Sequence, residues 1–409
     1  MNKYTRIRID SKNTSYYFYF GLIVLRFLLP AFITERMGGS ILFPLMILSL
    51  LLMAFYIVNH RILLDSFIGL IICGYVIQIF STILNHGEIF KSILYSVYII
   101  TECLFLNTLM ESGNDEIYVY LKVIRDISLV IALANLITGI LMPQGVSPVV
   151  GVYATRRFIY GNINGTARNM MPGLCCSCVL DAKNEKRISI YTILFLVSFF
   201  YFCINIRIMA TGLVGMVVLI IWILIQRIGL KHYKVQYAVI IAFVLLFEFT
   251  VVLLFGNSRL IALTSNIFSM KTGFSGREAL WLNIIRKIKE SPIIGYGLLN
   301  SDNMKYLIGN SYGSHNYYLD VVFERGFLGL LPLLYIALTP VIKNLQREIS
   351  TQQYILIGVC ASYLVMFLME PFIDAEYLHI PIFYITMSLI ANNHKSRFIL
   401  LKMNRQSTK

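Results

Sequence analysis

The chain has 409 residues and a formal net charge of +14, with 57% of its residues in the group AVILMFWYC and only 14% charged. A soluble protein carries about 25% charged residues, so the composition excludes a soluble enzyme and a disordered chain. Long unbroken apolar runs, in place of short alternating segments, also argue against a membrane β-barrel. The net charge cannot be interpreted as a nucleic-acid signature until each Lys and Arg is assigned to one side of a membrane.

Twelve apolar segments are long enough to suggest membrane helices, which need about 20 residues each. We therefore predict an all-α polytopic membrane protein with about 12 transmembrane helices. In chain order the predicted spans are 16–34, 40–58, 63–84, 89–110, 118–142, 167–181, 188–204, 208–226, 236–255, 326–342, 353–370 and 377–391.

The distribution of Lys and Arg predicts that both termini are cytoplasmic. Basic residues cluster before the first span and after the last, and they recur in the short loops on the same side, except in the acidic loop 111–117. Two longer loops, 143–166 and 256–325, then face outward. The predicted organisation is a membrane domain over 1–255 with nine spans, an extracytoplasmic loop over 256–325, and a membrane domain over 326–409 with three spans and a cytoplasmic tail.

The outward loops are rich in arginine. The whole outer side holds four Lys and nine Arg, whereas the cytoplasmic loops and tails hold ten Lys and eight Arg. The outer arginines are Arg36, Arg156, Arg157, Arg168, Arg207, Arg259, Arg277, Arg286 and Arg325. Because the guanidinium group binds phosphate through two parallel hydrogen bonds, this bias indicates an anionic ligand on the outer side. The alternative is that these arginines pair with lipid headgroups or with acids such as Glu278.

The segment Ser275-Gly276-Arg277-Glu278 has the S-x-x-E pattern of a capping box and predicts a helix that ends near Glu290, before Ser291-Pro292. Its apolar residues form one stripe, so we expect it to lie on the membrane surface with Trp281 as an interfacial anchor. Arg277 would then lie in the first turn, where a phosphate is favoured. A helix that rests on lipid without any ligand is the alternative.

A second group of polar residues lies at 314–329. If this segment is helical, Asn316, Asp320 and Glu324 share one face, and Gly326 with Gly329 permits close approach of a neighbouring helix. His315 is the natural candidate to take or orient a proton near neutral pH. A capping or packing role for this histidine is the alternative.

The charged residues inside predicted spans include Arg26, Glu102, Asp126 and Glu248. A transporter would use such groups as a proton relay, and structural pairing, for example of Arg26 with Glu102, is the alternative. Asp374 and Glu376 offer a spacing that could hold a cation. The first outer loop holds a single acidic residue, Glu35, and therefore no pair of carboxylates that could bind a metal ion. We expect no metal and expect arginines to stabilise negative charge instead.

The pattern H-N-x9-G-x-x-G from His315 to Gly329, directly after a large external loop in a many-span protein, resembles the O-antigen ligase and polysaccharide polymerase (Wzy-like) superfamily. The sequences S-G-R-E-A-L-W at 275–281 and P-I-I-G-Y-G at 292–297 resemble external-loop motifs of that family. So does Arg157 followed by G-N-I-N-G at 161–165.

The resemblance implies a GT-C-type membrane glycosyltransferase at the outer face of the plasma membrane. Its donor would be a glycan linked to polyprenyl pyrophosphate, and a polymerase would transfer this chain to a lipid-linked repeat unit. The first alternative is an O-antigen ligase, which transfers finished chains to a lipid-A-core acceptor. An alternative of another class is a flippase for the same lipid-linked oligosaccharide.

The resemblance also implies roles for individual residues and partners. His315 and Arg277 would be catalytic, with His315 deprotonating the acceptor hydroxyl and Arg277 stabilising the pyrophosphate leaving group. We expect no cofactor and no nucleic acid as a partner; the partners would be membrane lipid, a chain-length regulator and a flippase. The predicted substrate-binding residues are Arg157, Arg207, Arg156, Asn316, Asn164, Asp320 and Glu324.

Overall fold

The computed structural model describes most of the chain, and it is almost entirely helical. The described residues are 11–37, 39–60, 62–112, 114–146, 156–183, 188–206, 209–229, 232–253, 277–311, 313–342, 349–374, 376–391 and 398–401. The predicted all-α fold class is therefore confirmed.

Fifteen α-helices and four short strands make up this part of the chain. A π-helical turn, Glu248–Leu253, follows α10 directly. The strands are β1 (Ile62–Leu64), β2 (Arg157–Phe158), β3 (Gly161–Asn162) and β4 (Phe398–Leu401). The helices are α1 (Ser11–Leu28), α2 (Ala31–Met37), α3 (Gly39–Val58), α4 (Ser66–Leu84), α5 (Ile89–Ser112), α6 (Asn114–Leu141), α7 (Ile163–Lys183), α8 (Ile190–Asn205), α9 (Ala210–Arg227), α10 (Tyr233–Phe247), α11 (Arg277–Glu290), α12 (Ser301–Ile308), α13 (Tyr317–Ile342), α14 (Thr351–Met366) and α15 (His379–Ala391).

Seven of the described helical stretches are long and apolar enough to cross a membrane, and four shorter apolar helices accompany them. These eleven stretches correspond to eleven of the twelve predicted spans, as expected for a polytopic membrane protein. The remaining segment, 167–181, lies in α7, which is helical but less apolar and contains Pro172. The first predicted span is shorter than expected, because α1 ends at Leu28 and α2 is a separate helix after Pro30.

The chain divides into two compact units. The first comprises Met1–Ile62, Phe105–Tyr201 and Met403–Lys409. Within it α6 packs against both α1 and α7, and α1 packs against α3. Strands β2 and β3 form an antiparallel hairpin directly before α7. Asn162 caps α7, since its Oδ1 atom accepts a hydrogen bond of 2.8 Å from the Gly165 amide.

The second unit comprises Leu63–Leu104 and Phe202–Lys402. Within it α13 packs along α4, and α14 packs between α9 and α10. Side-chain caps fix the starts of several of its helices. Asp65 caps α4, Asn300 caps α12, and Ser350 with Gln353 forms a capping box on α14.

Helix α11 confirms the helix predicted from the 275–290 segment, but its apolar stripe faces protein. Trp281 and Ile284 are fully buried, in a core with Leu319, Val322 and Phe323 of α13. The expectation that Trp281 is an interfacial anchor is therefore wrong: its Nε1 atom donates a hydrogen bond of 3.1 Å to the Ser314 carbonyl oxygen. Ser275 and Gly276 of the predicted capping box lie outside the described residues.

Candidate functional site

Helix α13 is broken at Gly326, where φ is 64° and ψ is −174°. The turn 291–297 lies against the break. A broken helix leaves backbone amides and carbonyl groups without their usual partners, and the turn 291–297 provides replacement partners. Four backbone hydrogen bonds do so, from Phe327 to Pro292 (2.8 Å), from Leu328 to Ile293 (3.2 Å), from Tyr296 to Phe323 (2.7 Å) and from Gly297 to Glu324 (2.8 Å).

Both glycines of the G-x-x-G pattern lie in close contacts, although neither contact is with a neighbouring helix. A Cβ atom on Gly326 would lie 2.0 Å from the Ile293 carbonyl oxygen, and one on Gly329 would lie 2.1 Å from the Arg325 Cβ atom. Close approach is confirmed at Gly326, where the neighbour is the turn 291–297 and not a helix, whereas the atoms nearest to Gly329 belong to Arg325 of the same helix. The break lets the Arg325 side chain pass over Gly329.

Arg325 forms a buried ion pair with Asp374, which is the centre of a dense polar cluster. The Tyr75 and Tyr317 hydroxyls donate to the Asp374 carboxylate at 2.6 and 2.7 Å. The His379 Nε2 atom lies 2.9 Å from the same carboxylate. The Arg325 guanidinium also lies over the Tyr75 ring, 4.5 Å from its centroid. The carboxylate that the sequence offered as a cation ligand is therefore occupied by an arginine.

Acidification is expected to weaken this cluster. Burial raises the pKa of Asp374, but the Arg325 charge and the His379 hydrogen bond outweigh burial and hold the pKa well below its usual range. The ion pair therefore stabilises the fold above the ordinary carboxyl pKa of about 4, and this contribution is lost as the pH falls below that value. Thermal unfolding in detergent between about pH 3 and 5 should show this loss. Equal pH slopes for wild type and Asp374→Asn would contradict it.

A polar cavity of about 480 Å³ lies beside this cluster. Asp320 and Glu324 of α13 line it, as the shared face predicted from their spacing requires. Gln78 donates to the Glu324 carboxylate at 3.1 Å, and Ser314 donates to Asp320 from both its amide and its hydroxyl, at 2.7 and 2.8 Å. The charged residues of the lining are Glu88, Lys91, Asp320, Glu324, Arg325, Asp374 and Glu376.

His315 lies in a tight turn directly before α13. Its φ angle of 59° is in the left-handed region, which costs a non-glycine residue about 1–2 kcal/mol. The residues on either side are fully buried and held by hydrogen bonds. The Ser314 carbonyl accepts from Trp281, and the Tyr317 amide donates to the Phe367 carbonyl at 2.8 Å. Such strain persists where surrounding contacts fix the backbone, which is common at functional sites.

Asn316 caps α13 and does not belong to it. Its Oδ1 atom accepts from the Leu319 amide at 3.1 Å, and its Nδ2 atom donates to Glu248 at 2.6 Å. The side chain is fully buried. The predicted stacking of Asn316 with Asp320 and Glu324 is therefore wrong, because the helix starts one residue later and the amide is used in the cap.

Arg277 is the first residue of α11, a helix that contacts the His315 turn through Trp281. Its guanidinium is 4.0 Å from the carboxylate of Glu370, which follows α14. The Phe367 carbonyl in the same segment accepts from the Tyr317 amide. One helical turn beyond Arg277, Trp281 contacts Ser314. The two predicted catalytic residues thus lie on segments that contact each other beside the polar cavity, which Gly313 and Pro371 line.

An apolar cavity of about 390 Å³ lies on the other side of α13. Leu319, Val322 and Leu330 of α13 contribute to its wall, together with residues of α10, α11 and α14. Glu248 also lines it, at the start of the π-helical turn. Helix α13 therefore separates a charged cavity from an apolar one within the second unit.

The remaining predicted site residues lie in the first unit or outside the described residues. Arg156, Arg157 and Asn164 belong to the first unit, where Arg156 donates to the Pro143 carbonyl oxygen at 3.1 Å and Arg157 is exposed on β2. Arg207 lies outside the described residues. Roles for these four residues in one site with His315 stay predictions.

Arg325, Tyr75 and Tyr317 were not predicted as site residues, although Arg325 was counted among the outward arginines. A sequence signal existed for Arg325 alone, because it directly precedes Gly326 of the G-x-x-G pattern. Its partner Asp374 is 49 residues away, so spacing could not pair them. Among the described residues, no group of three or more His, Cys, Asp and Glu side chains is placed to hold a metal ion.

Comparison with known proteins identifies one family. Residues 191–334 match the family model described as O-antigen ligase, which confirms the predicted resemblance to this superfamily. A protein of Haemophilus influenzae (strain Rd), described as an uncharacterized protein, is 32% identical over 102 residues, which cover 22% of this chain and 26% of that protein. The chain thus spans about a quarter of the length of this relative. No solved structure matches the chain.

Proposed function

We propose that this protein is a membrane glycosyltransferase that uses a polyprenyl-pyrophosphate-linked glycan as donor and acts as a polysaccharide polymerase. The family match over 191–334 includes the His315 turn, the break at Gly326 and α13 as far as Leu334. The position of the His315 turn supports this function most directly. The turn lies beside a polar cavity and at the end of a helix whose other side borders an apolar cavity. A substrate that joins sugars to an isoprenoid chain needs both environments.

The polar cavity suits the glycan. Its volume of about 480 Å³ is within the range of small-molecule sites, and the Asp320 and Glu324 carboxylates can accept hydrogen bonds from sugar hydroxyls. Asn316 is assigned to shaping the turn, because its side chain is buried.

In the proposed reaction the acceptor hydroxyl oxygen attacks the anomeric carbon of the donor. The bond from that carbon to the pyrophosphate oxygen breaks, and the hydroxyl proton passes to His315. Polyprenyl pyrophosphate leaves with an added negative charge, which Arg277 and the positive end of the α11 dipole stabilise. Arg156, Arg157, Arg207 and Asn164 are proposed to bind the same donor.

The proposed orientation follows from the basic residues. The Lys and Arg residues at both termini indicate that the termini are cytoplasmic. In the proposed orientation, the loop that precedes α13 and the reaction are therefore on the outer side of the plasma membrane. A flippase would then deliver the donor to the outer face, and a chain-length regulator would act beside the polymerase.

Deletion of the gene in its host, followed by gel analysis of surface glycan, tests the assignment. We expect glycans with a single repeat unit, as loss of a polymerase would give. Long chains left on the polyprenyl lipid would instead identify a ligase, and repeat units trapped in the cytoplasm would identify a flippase.

Filling the apolar cavity is expected to weaken donor binding. Leu334 lines this cavity, and Leu334→Trp should raise the KM for the lipid-linked donor by about tenfold, which corresponds to about 1.4 kcal/mol. A donor analogue with a short prenyl chain should lose less. Leu331→Trp is the matched control, because Leu331 is 59% exposed on the same helix. Equal KM values for the two variants would contradict a role of this cavity in binding the chain.

A further inference from the structure

Glu248 is a charged side chain in an apolar environment. It lies in a helical stretch apolar enough to cross a membrane and lines the apolar cavity among aliphatic and aromatic residues, with Lys289 as the other charged residue of the lining. A carboxylate in such a place is costly, so its retention calls for a specific partner. That partner is the Asn316 amide, whose Nδ2 atom lies 2.6 Å from the Glu248 Oε1 atom.

The backbone at Glu248 brings the carboxylate to this partner. Regular α-helix ends at Phe247, and the π-helical turn Glu248–Leu253 begins there. A π turn contains one more residue than an α turn and redirects the side chains that follow, and such turns are frequent at functional sites. The carboxylate thus reaches a residue 68 positions further along the chain.

Asn316 is fixed from every side. Glu248 holds its Nδ2 atom, and the Leu319 amide holds its Oδ1 atom. The Ser314 hydroxyl also contacts the Asn316 backbone, since its oxygen accepts from the amide at 3.1 Å and lies 3.0 Å from the carbonyl oxygen. Because the Asn316 side chain must present its nitrogen to Glu248, the carboxylate also fixes which side of the amide caps α13.

His315 lies between Ser314 and Asn316, and its backbone is in the left-handed region. This conformation is uncommon for a residue other than glycine and persists where the surrounding structure holds it. We propose that Glu248 is a positioning residue, which holds Asn316 and thereby fixes the orientation of His315. This inference rests on the proposed function for the role of His315, whereas the link from Glu248 to the His315 turn is independent of it.

Two substitutions separate this role from general stability. Glu248→Gln keeps an oxygen that accepts from Asn316, and it should keep transfer within about threefold of wild type. Glu248→Leu suits the apolar cavity but leaves the Asn316 amide without its partner, and it should lower kcat by at least about tenfold with little change in KM. Thr250→Val is the matched control in the same turn, since the Thr250 hydroxyl donates to Leu246 within its own helix.

The experiment uses the full-length protein in detergent and lipid-linked glycan extracted from the deletion strain. Transfer kinetics are combined with diethyl pyrocarbonate labelling of His315, followed by mass spectrometry, with the exposed His232 as internal reference. We expect His315 to be labelled several-fold faster in Glu248→Leu than in wild type, Glu248→Gln or Thr250→Val. Combining Glu248→Leu with Asn316→Ala should add little to either single loss.

Unchanged labelling of His315 in Glu248→Leu would overturn the inference, as would additive losses in the double variant. Labelling does not require that the protein is a glycosyltransferase. A wild-type protein without transfer activity would thus reject the proposed function, whereas the labelling would still decide whether Glu248 holds the His315 turn.

Discussion

His315→Ala is expected to abolish polymer formation while the protein remains in the membrane. A residue that takes a proton in the transition state contributes about 10²–10⁴-fold to the rate, and His315 is the residue proposed to take it. Arg277→Ala should abolish the product as well, because the leaving pyrophosphate would lose a charged partner. Gel analysis of surface glycan in a complemented deletion strain measures both.

The controls separate chemistry from folding. His315→Asn tolerates the left-handed backbone but cannot serve as the base, so it should be as inactive as His315→Ala and accumulate like wild type. Arg277→Lys keeps the charge but loses the planar fork, and it should retain part of the activity. His232→Ala alters an exposed histidine and should be silent. High-mass polysaccharide in both alanine variants would contradict the assigned roles.

Gly326→Ala is expected to cause the largest loss of stability. The combination of φ at 64° and ψ at −174° is accessible to glycine and strained for alanine. The new Cβ atom would also lie 2.0 Å from the Ile293 carbonyl oxygen and 2.2 Å from the Ile293 carbonyl carbon, so the turn 291–297 must move. Its hydrogen bonds across the break would then be lost, and we expect a cost above about 3 kcal/mol.

Accumulation in the membrane and thermal unfolding in detergent measure this loss. The matched control is Gly69→Ala in α4, where a Cβ atom would have no heavy atom within 4 Å. That variant should be neutral or slightly stabilising, because alanine favours a helix more than glycine does. A melting temperature of Gly326→Ala equal to that of Gly69→Ala would show that the break in α13 is not required.

Much of the fold follows from the sequence because the apolar runs are long and separated by charged loops. The helix that ends at Glu290 was predicted from its stripe and its stop signal, and the structure confirms it. The burial of Trp281 was not predicted, because an amphipathic stripe is equally suited to lipid and to protein. The choice depends on the position of α13, which is distant in sequence.

The candidate site was predicted in part. The shared face of Asp320 and Glu324 follows from helical spacing. Spacing does not show where a helix begins, so the position of Asn316 one residue before the helix was not predicted. The pairing of Arg325 with Asp374 joins residues 49 positions apart, and the contact of Glu248 with Asn316 joins residues 68 positions apart. Local spacing carries no information on such pairs, which depend on tertiary packing.

Purified protein, incubated with lipid-linked glycan extracted from the deletion strain, provides the decisive test of glycan transfer. We expect the wild-type protein to form longer glycans and to release polyprenyl pyrophosphate in equal amounts, and we expect His315→Asn to do neither. Release of polyprenyl pyrophosphate without longer glycans, or no reaction of a folded wild-type protein with this donor, would contradict the proposed transfer.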